Sequence, residues 1–165
     1  MILDILTVPP YEGGRGRTNA HINNAACSGF VFALGVADKF IKSGSVKTAL
    51  VVGSETLTRM VDWTDRKTCV LFGDGAGAVV LKADAETGIL STNLHADGSK
   101  KHLLYNPVGV SAGFKPEEPN AGVRVMMAGN DVFKYAVKAL DSVVEETLLA
   151  NGIDKSELDW LIPHQ

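Results

Sequence analysis

The chain has 165 residues, 45% of them hydrophobic and 21% charged, with 16 Lys+Arg against 19 Asp+Glu for a net charge of −3. That balance excludes a disordered chain and the basic footprint of a general nucleic-acid binder. No apolar run reaches the ~18 residues of a membrane span, and the length suits one domain of about 150 residues with a core of its own. Two cysteines are too few for a disulfide scaffold, and Asp4 stands where a signal peptide would be basic, so the expected compartment is the cytoplasm.

Residues 1–24 differ in character from the rest. Tyr11-Glu-Gly-Gly-Arg-Gly-Arg17 is glycine-rich and basic and follows Pro9 and Pro10, which predicts a flexible lead-in. Residues 27–43 then read as a helix: Phe30, Ala33, Leu34, Ala37, Phe40 and Ile41 share one face, Lys42 lies in the last turn and Gly44 follows as a stop. The apolar run 48–52, ended by Gly53, predicts a strand buried on both faces. Two more strands are expected over 76–82 and 88–95, joined by a polar turn, and then a long loop over 97–120 punctuated by Gly98, Pro107, Gly109, Gly113, Pro116 and Pro119. Phe133, Ala136, Val137, Leu140, Val143, Val144, Thr147 and Leu148 set the period of a second helix over 130–150, ended by Asn151-Gly152. Asp154 and Glu157 form a capping-box pattern, and 160–162 reads as a short strand stopped by Pro163. This order of elements predicts a layered α/β fold that binds ligands at the carboxyl ends of its strands.

Cys27 stands where the chain enters the first helix. The positive end of the helix dipole there favours a thiolate, and the small flanks Ala25, Ala26, Ser28 and Gly29 leave room for a substrate. Position alone leaves a second reading open, that of a buried structural cysteine. Cys69, inside an apolar run, fits the structural reading. His164 follows the last apolar run directly; a lone histidine there carries little by itself. His95 and His102 have no partner visible in sequence, and His21 lies in the lead-in. No His or Cys pair has metal-ligand spacing, so no metal is expected. Gly73-Asp-Gly75-Ala-Gly77 fits neither a phosphate-binding loop nor a dinucleotide fingerprint; it reads as a tight backbone path beneath a site, where side chains would clash.

Seven motifs together resemble those of a known family. Asn24-Ala-Ala-Cys-Ser-Gly-Phe30, Val51-Val-Gly-Ser54, Thr64-Asp-Arg66, Leu71-Phe-Gly-Asp-Gly-Ala-Gly-Ala78, Leu94-His-Ala-Asp-Gly98, Met127-Ala-Gly-Asn130 and Asp159-Trp-Leu-Ile-Pro-His-Gln165 are similar, in family order, to β-ketoacyl-acyl-carrier-protein synthase III. The resemblance implies a partial thiolase-like fold of α/β/α layers with a mixed sheet, whose full-length members are homodimers. It divides the chain into the lead-in 1–24, the remainder of an N-terminal half over 25–120, and the start of a C-terminal half over 121–165, cut after its first strands. The implied reaction opens fatty-acid synthesis. An acyl group passes from acetyl-coenzyme A to Cys27, and the acyl-enzyme condenses with malonyl-acyl-carrier protein as carbon dioxide leaves. Coenzyme A enters as a thioester substrate, with no permanently bound cofactor, no nucleic acid and no membrane.

By the same matching, His164 donates a hydrogen bond to the malonyl thioester oxygen, and Arg66, Asn130 and Phe133 contact coenzyme A. Leu57, Phe72, Leu104, Val125 and Met127 border the acyl pocket, a role these apolar residues share with plain core packing. Lys134 matches a contact to the acidic carrier protein or a solvated helix lysine, and Arg66 has the alternative of pairing with Asp62 or Asp65. The chain also departs from the family. The catalytic asparagine, which follows the histidine, has no counterpart, nor has an early tryptophan that stacks on adenine, and Lys67 stands where the family has glycine, a change expected to crowd the coenzyme A site. These departures predict weak or absent turnover by this chain alone. They leave two alternatives: a non-catalytic partner of a full-length synthase, and a related polyketide-type condensing enzyme.

Overall fold

The computed structural model describes residues 2–8, 19–23, 25–86, 88–108 and 124–164, with side chains from residue 25 onward. The chain forms two compact units, each drawn from separated segments: Met1–Glu55, Gly75–Leu94 and Glu145–Gln165 in the first, Thr56–Asp74 and His95–Val144 in the second.

The first unit is built on a four-stranded sheet. Its strands are β1 (Ile2–Val8), β2 (Asn19–Asn23), β3 (Thr48–Thr56) and β4 (Asp74–Lys82), in the spatial order β2-β1-β3-β4. β1 runs antiparallel to both neighbours, with Ile5 opposite His21 on one side and Val51 on the other. The stretch expected to be a flexible lead-in therefore contains two strands; the Tyr11–Arg17 motif itself lies outside the described residues. The apolar and β-branched residues of 2–8 suit a strand, and β3 supplies the edge that sequence inspection of the segment alone does not reveal.

Helix α1 (Gly29–Lys42) follows a 3-10 turn over Ala26–Ser28. Ala33 and Ala37 are wholly buried against Ala49 and Val51 of β3, with Phe30, Leu34, Val36, Ile41 and Leu81 packed around them, so the expected face is the core face. Small residues at this contact let helix and sheet backbones approach closely. The helix ends in a Schellman motif: Gly44, at φ +75°, donates to the Ile41 carbonyl at 2.9 Å and Ser45 to that of Phe40 at 3.1 Å. Asp38 is buried, and its carboxylate is held by Lys39 at 3.2 Å and Lys42 at 3.0 Å.

Three expected strand boundaries change. β3 does not stop at Gly53 but continues to Thr56, and its burial alternates along the ladder instead of enclosing both faces. β4 begins at Asp74 and takes in Gly75 and Gly77. Residues 88–97 form no strand. Side chains hold that segment instead. Lys42 Nζ donates to the Ile89 carbonyl at 3.3 Å, Asn151 Nδ2 to Ser91 Oγ at 2.7 Å, and Asn93 Nδ2 to Thr147 Oγ1 at 2.8 Å. Thr92 sits against Gly35, where a Cβ would come within 3.1 Å of its hydroxyl. The expected strand at 160–162 is also irregular and exposed, Trp160 by 83%, because no ladder neighbour runs beside it among the described residues.

In the second unit a 3-10 turn over Leu57–Met60 is tied to Asp74, which accepts from the Thr58 amide at 2.8 Å and its hydroxyl at 2.7 Å. The expected loop over 97–120 is partly ordered: a 3-10 turn over Gly98–Lys100 precedes β5 (Leu104–Tyr105), which pairs antiparallel with β6 (Met126–Met127). Its remainder from 109 lies outside the described residues. Helix α2 (Gly129–Asn151), whose residues from Glu145 onward belong to the first unit, covers the expected range and ends in a second Schellman motif at Gly152, φ +63°. The capping box at Asp154 and Glu157 is present, closing the 3-10 turn Lys155–Glu157. None of the residues of α2 is buried. Among the described residues no helix is long and apolar enough to cross a membrane.

Candidate active site

Cys27 occupies the 3-10 turn that feeds α1, and it is a free, exposed cysteine. That exposure removes the reading of a packed structural thiol. The preceding Ala26 has φ +46°, a left-handed conformation that costs an L-residue about 1–2 kcal/mol. Ser28 closes the turn by donating to the Ala25 carbonyl at 3.1 Å, and buried Gly29 begins the helix beneath it. The thiol thus stands on a strained bend at a helix N-terminus, a placement typical of functional backbone outliers. Cys69 is half-buried. His164 belongs to the same unit as Cys27; it is exposed in an irregular segment and has no hydrogen-bond partner among the described residues.

The other candidates fall in the second unit. Leu104 lies opposite Met127 across the β5–β6 pair. Val125 donates its amide to the Met60 carbonyl at 2.9 Å, which ties it to the turn that Leu57 opens. These four lie in the second unit and are half-buried or, for Leu104, just exposed. Arg66 and Phe72 lie in the irregular segment before β4 and Asn130 on α2, with no hydrogen bond or ion pair joining them. Phe133 is 69% exposed on α2, and Lys134 is exposed beside Asp131 at 4.0 Å.

The glycines of Gly73–Gly77 do not form the crowded path expected of them. Nothing lies within 4 Å of a Cβ built at Gly73, Gly75 or Gly77, since this run opens an exposed strand. The alternative of an Arg66 ion pair also fails among the described residues. Asp62 instead accepts from the Thr64 amide at 2.9 Å and its hydroxyl at 2.7 Å and pairs with Arg124. Asp65 accepts from the Lys67 amide at 3.0 Å and the Thr68 hydroxyl at 2.8 Å. Thr64, then Arg124, hold the Asp62 carboxyl below the ordinary carboxylate range, and Thr58, with the Arg59 charge behind it, does the same for Asp74.

A further polar cluster was not foreseen. Asp97 accepts from the Ser99 hydroxyl at 2.6 Å and amide at 3.0 Å and from the Tyr135 phenol at 3.0 Å, while Lys100 Nζ lies 5.7 Å from the centre of the Tyr135 ring. Ser99, then Tyr135, lower the Asp97 carboxyl, and the carboxylate raises the phenol. The pattern Asp-x-Ser/Thr, at Asp62 and Asp97 alike, is a visible signal for such turns; Arg124 and Tyr135, tens of residues away, are not.

The fold is the thiolase-like α/β architecture of condensing enzymes. The profile of the 3-oxoacyl-[acyl-carrier-protein (ACP)] synthase III family matches residues 23–98. A β-ketoacyl-[acyl-carrier-protein] synthase III from Xanthomonas euvesicatoria pv. vesicatoria is 78% identical over 142 residues, which take in 86% of this chain and 43% of that protein. The crystal structure of 3-oxoacyl-[acyl-carrier-protein] synthase III from Aquifex aeolicus superposes with a TM-score of 0.74 at 45% identity, over 85% of this chain and 42% of that one. The synthase III from Pseudomonas aeruginosa PAO1 gives 0.71 at 38% identity over 86% and 42%. Over most of its length the chain is homologous to these β-ketoacyl-acyl-carrier-protein synthase III proteins, and it spans less than half the length of these relatives.

Proposed function

We propose that this chain carries the nucleophilic portion of a synthase III, with residues 25–120 and 121–165 representing parts of its two halves. Cys27 attacks the carbonyl of an acyl-coenzyme A thioester, preferentially acetyl, forming a new thioester as coenzyme A thiolate leaves. In the second step the acyl-cysteine condenses with malonyl-acyl-carrier protein, carbon dioxide departs, and the Cys27 thiolate is released. His164 donates to the thioester oxygen as charge develops there. Arg66, Asn130 and Phe133 hold coenzyme A, the Leu57, Phe72, Leu104, Val125 and Met127 side chains border the acyl group, and Lys134 meets the acidic carrier. The observation that carries this reading is the exposed Cys27 on a strained turn at the entry to α1.

Incubation with acetyl-coenzyme A followed by peptide mass mapping should place one acetyl group on Cys27 and none on Cys69, and Cys27→Ser should abolish it. No label on Cys27 would overturn the catalytic reading.

A second reading has its own support. β4 is one of the two outer strands of the sheet among the described residues, and its Val79 and Val80 are exposed, which suits pairing with another condensing-enzyme chain. Size-exclusion with and without a full-length synthase distinguishes them: co-elution supports a non-catalytic partner, and unchanged elution removes that role.

A further inference from the structure

The turn from Asp62 to Thr68 directs both of its carboxylates onto its own unit. Asp62 is taken by Thr64 and Arg124, and Asp65 by the Lys67 amide and the Thr68 hydroxyl. Thr68 is itself 2% exposed and anchors the end of the turn. What remains outward is cationic and aromatic. Arg66 and Lys67 are adjacent and exposed, and neither has an ion-pair partner among the described residues. Trp63, three residues before Arg66 on the same turn, is 65% exposed. In a chain of net charge −3, two neighbouring exposed cations with no ion-pair partner among the described residues, beside an open indole, present complementary chemistry to a ligand bearing phosphates and a planar base.

We propose that Lys67 is an added phosphate contact for the nucleotide end of a coenzyme A thioester, acting beside Arg66, with Trp63 offering its ring to the adenine. The proposal rests on the reading of this chain as a user of such thioesters, and it reverses the sign expected from sequence. A lysine in place of glycine was expected to crowd the site. In the structure its side chain is exposed, and its backbone amide holds the turn closed. Lysine contributes a point charge on a flexible stem that follows a phosphate without demanding a fixed geometry.

The test uses the full chain with Trp160→Phe, which leaves Trp63 as its sole tryptophan. Its fluorescence is titrated with coenzyme A and with pantetheine, which lacks the phosphates and the adenine. Coenzyme A should quench Trp63 and bind more tightly than pantetheine. Lys67→Gly and Lys67→Gln should each weaken coenzyme A by about three- to fivefold, as expected for one exposed charge contact, and leave pantetheine unchanged. Lys67→Arg should restore affinity, and added salt should shrink the difference. Unchanged or tighter coenzyme A binding in both neutral variants overturns the proposal. The catalytic reading fails separately: an acetyl thioester of pantetheine that labels Cys27 preserves it even where Lys67 proves irrelevant, whereas phosphate-dependent binding without any label preserves the Lys67 contact alone.

Discussion

Helices α1 and α2 share their sequence grammar and differ in their surroundings. Both carry apolar residues at helical spacing, and both end in a Schellman motif at a left-handed glycine. Yet α1 buries Gly29, Ala33, Gly35, Ala37 and Asp38, while the longer α2 buries nothing, and Phe133, Val137 and Leu140 stand open along it. The contrast teaches that periodicity specifies a helix and selects a face, whereas coverage of that face depends on what lies opposite. Opposite α1 lie β3 on one side and Thr92 on the other.

The largest effect should come from placing the same substitution on each helix. Ala37→Asp puts an unpaired carboxylate into the core and should cost about 4 kcal/mol or more, whereas Ala139→Asp on exposed α2 should cost only its helix propensity, about 0.7 kcal/mol. Urea midpoints compare them directly, and equal losses would break the contrast. Gly35→Val tests the second contact of α1. Its side chain must displace Thr92, with a cost of about 2 kcal/mol by overpacking, and Thr92→Ala should recover part of it in a double-mutant cycle. Smaller and nearly equal losses, about 1 kcal/mol each, are expected for Gly44→Ala and Gly152→Ala, because the left-handed cap is common to both helices. A marked inequality would show that the two caps are not equivalent.

The smallest effect is read by titration. Ser99 and Tyr135 lower the folded-state pKa of Asp97 below its ordinary 3.8, so the stabilisation is present above that value and fades as pH falls through the folded pKa. Tyr135 is raised above its ordinary 10.0, so the phenol's contribution is complete below pH 10 and is lost as pH climbs through the folded value. Tyr135→Phe should move the Asp97 carboxyl resonance midpoint upward, with Asp154 as an internal reference. A motionless midpoint would mean that the phenol makes no bond to Asp97 in solution.

Part of the local structure around the candidate site was legible in the sequence. The helix entry at Cys27 and the capping box at Asp154 follow from residue types at short spacing, and the structure has both. The grouping of Leu57, Leu104, Val125 and Met127 comes from the family resemblance alone, and Leu104, expected in a loop, lies on β5. The polar frame was not legible. Arg124 on Asp62 and Tyr135 on Asp97 join positions far apart in sequence, and only their capture of the two aspartates shows which cations of the Asp62–Thr68 turn face outward. Lys67 changed from an obstruction to a candidate contact for this reason.

The sequence by itself determined the helices, their stops, the position of the thiol and the family motifs, because a helix satisfies its hydrogen bonds within a few residues and a cap needs only its neighbours. Tertiary structure decided the strands and the burial. Residues 88–95 and 160–162 have strand-like composition but no ladder among the described residues, while 2–8, read from sequence as part of a lead-in, pairs with β3. A strand is completed by a partner that its own residues do not name, and a helical face becomes core only where another element covers it.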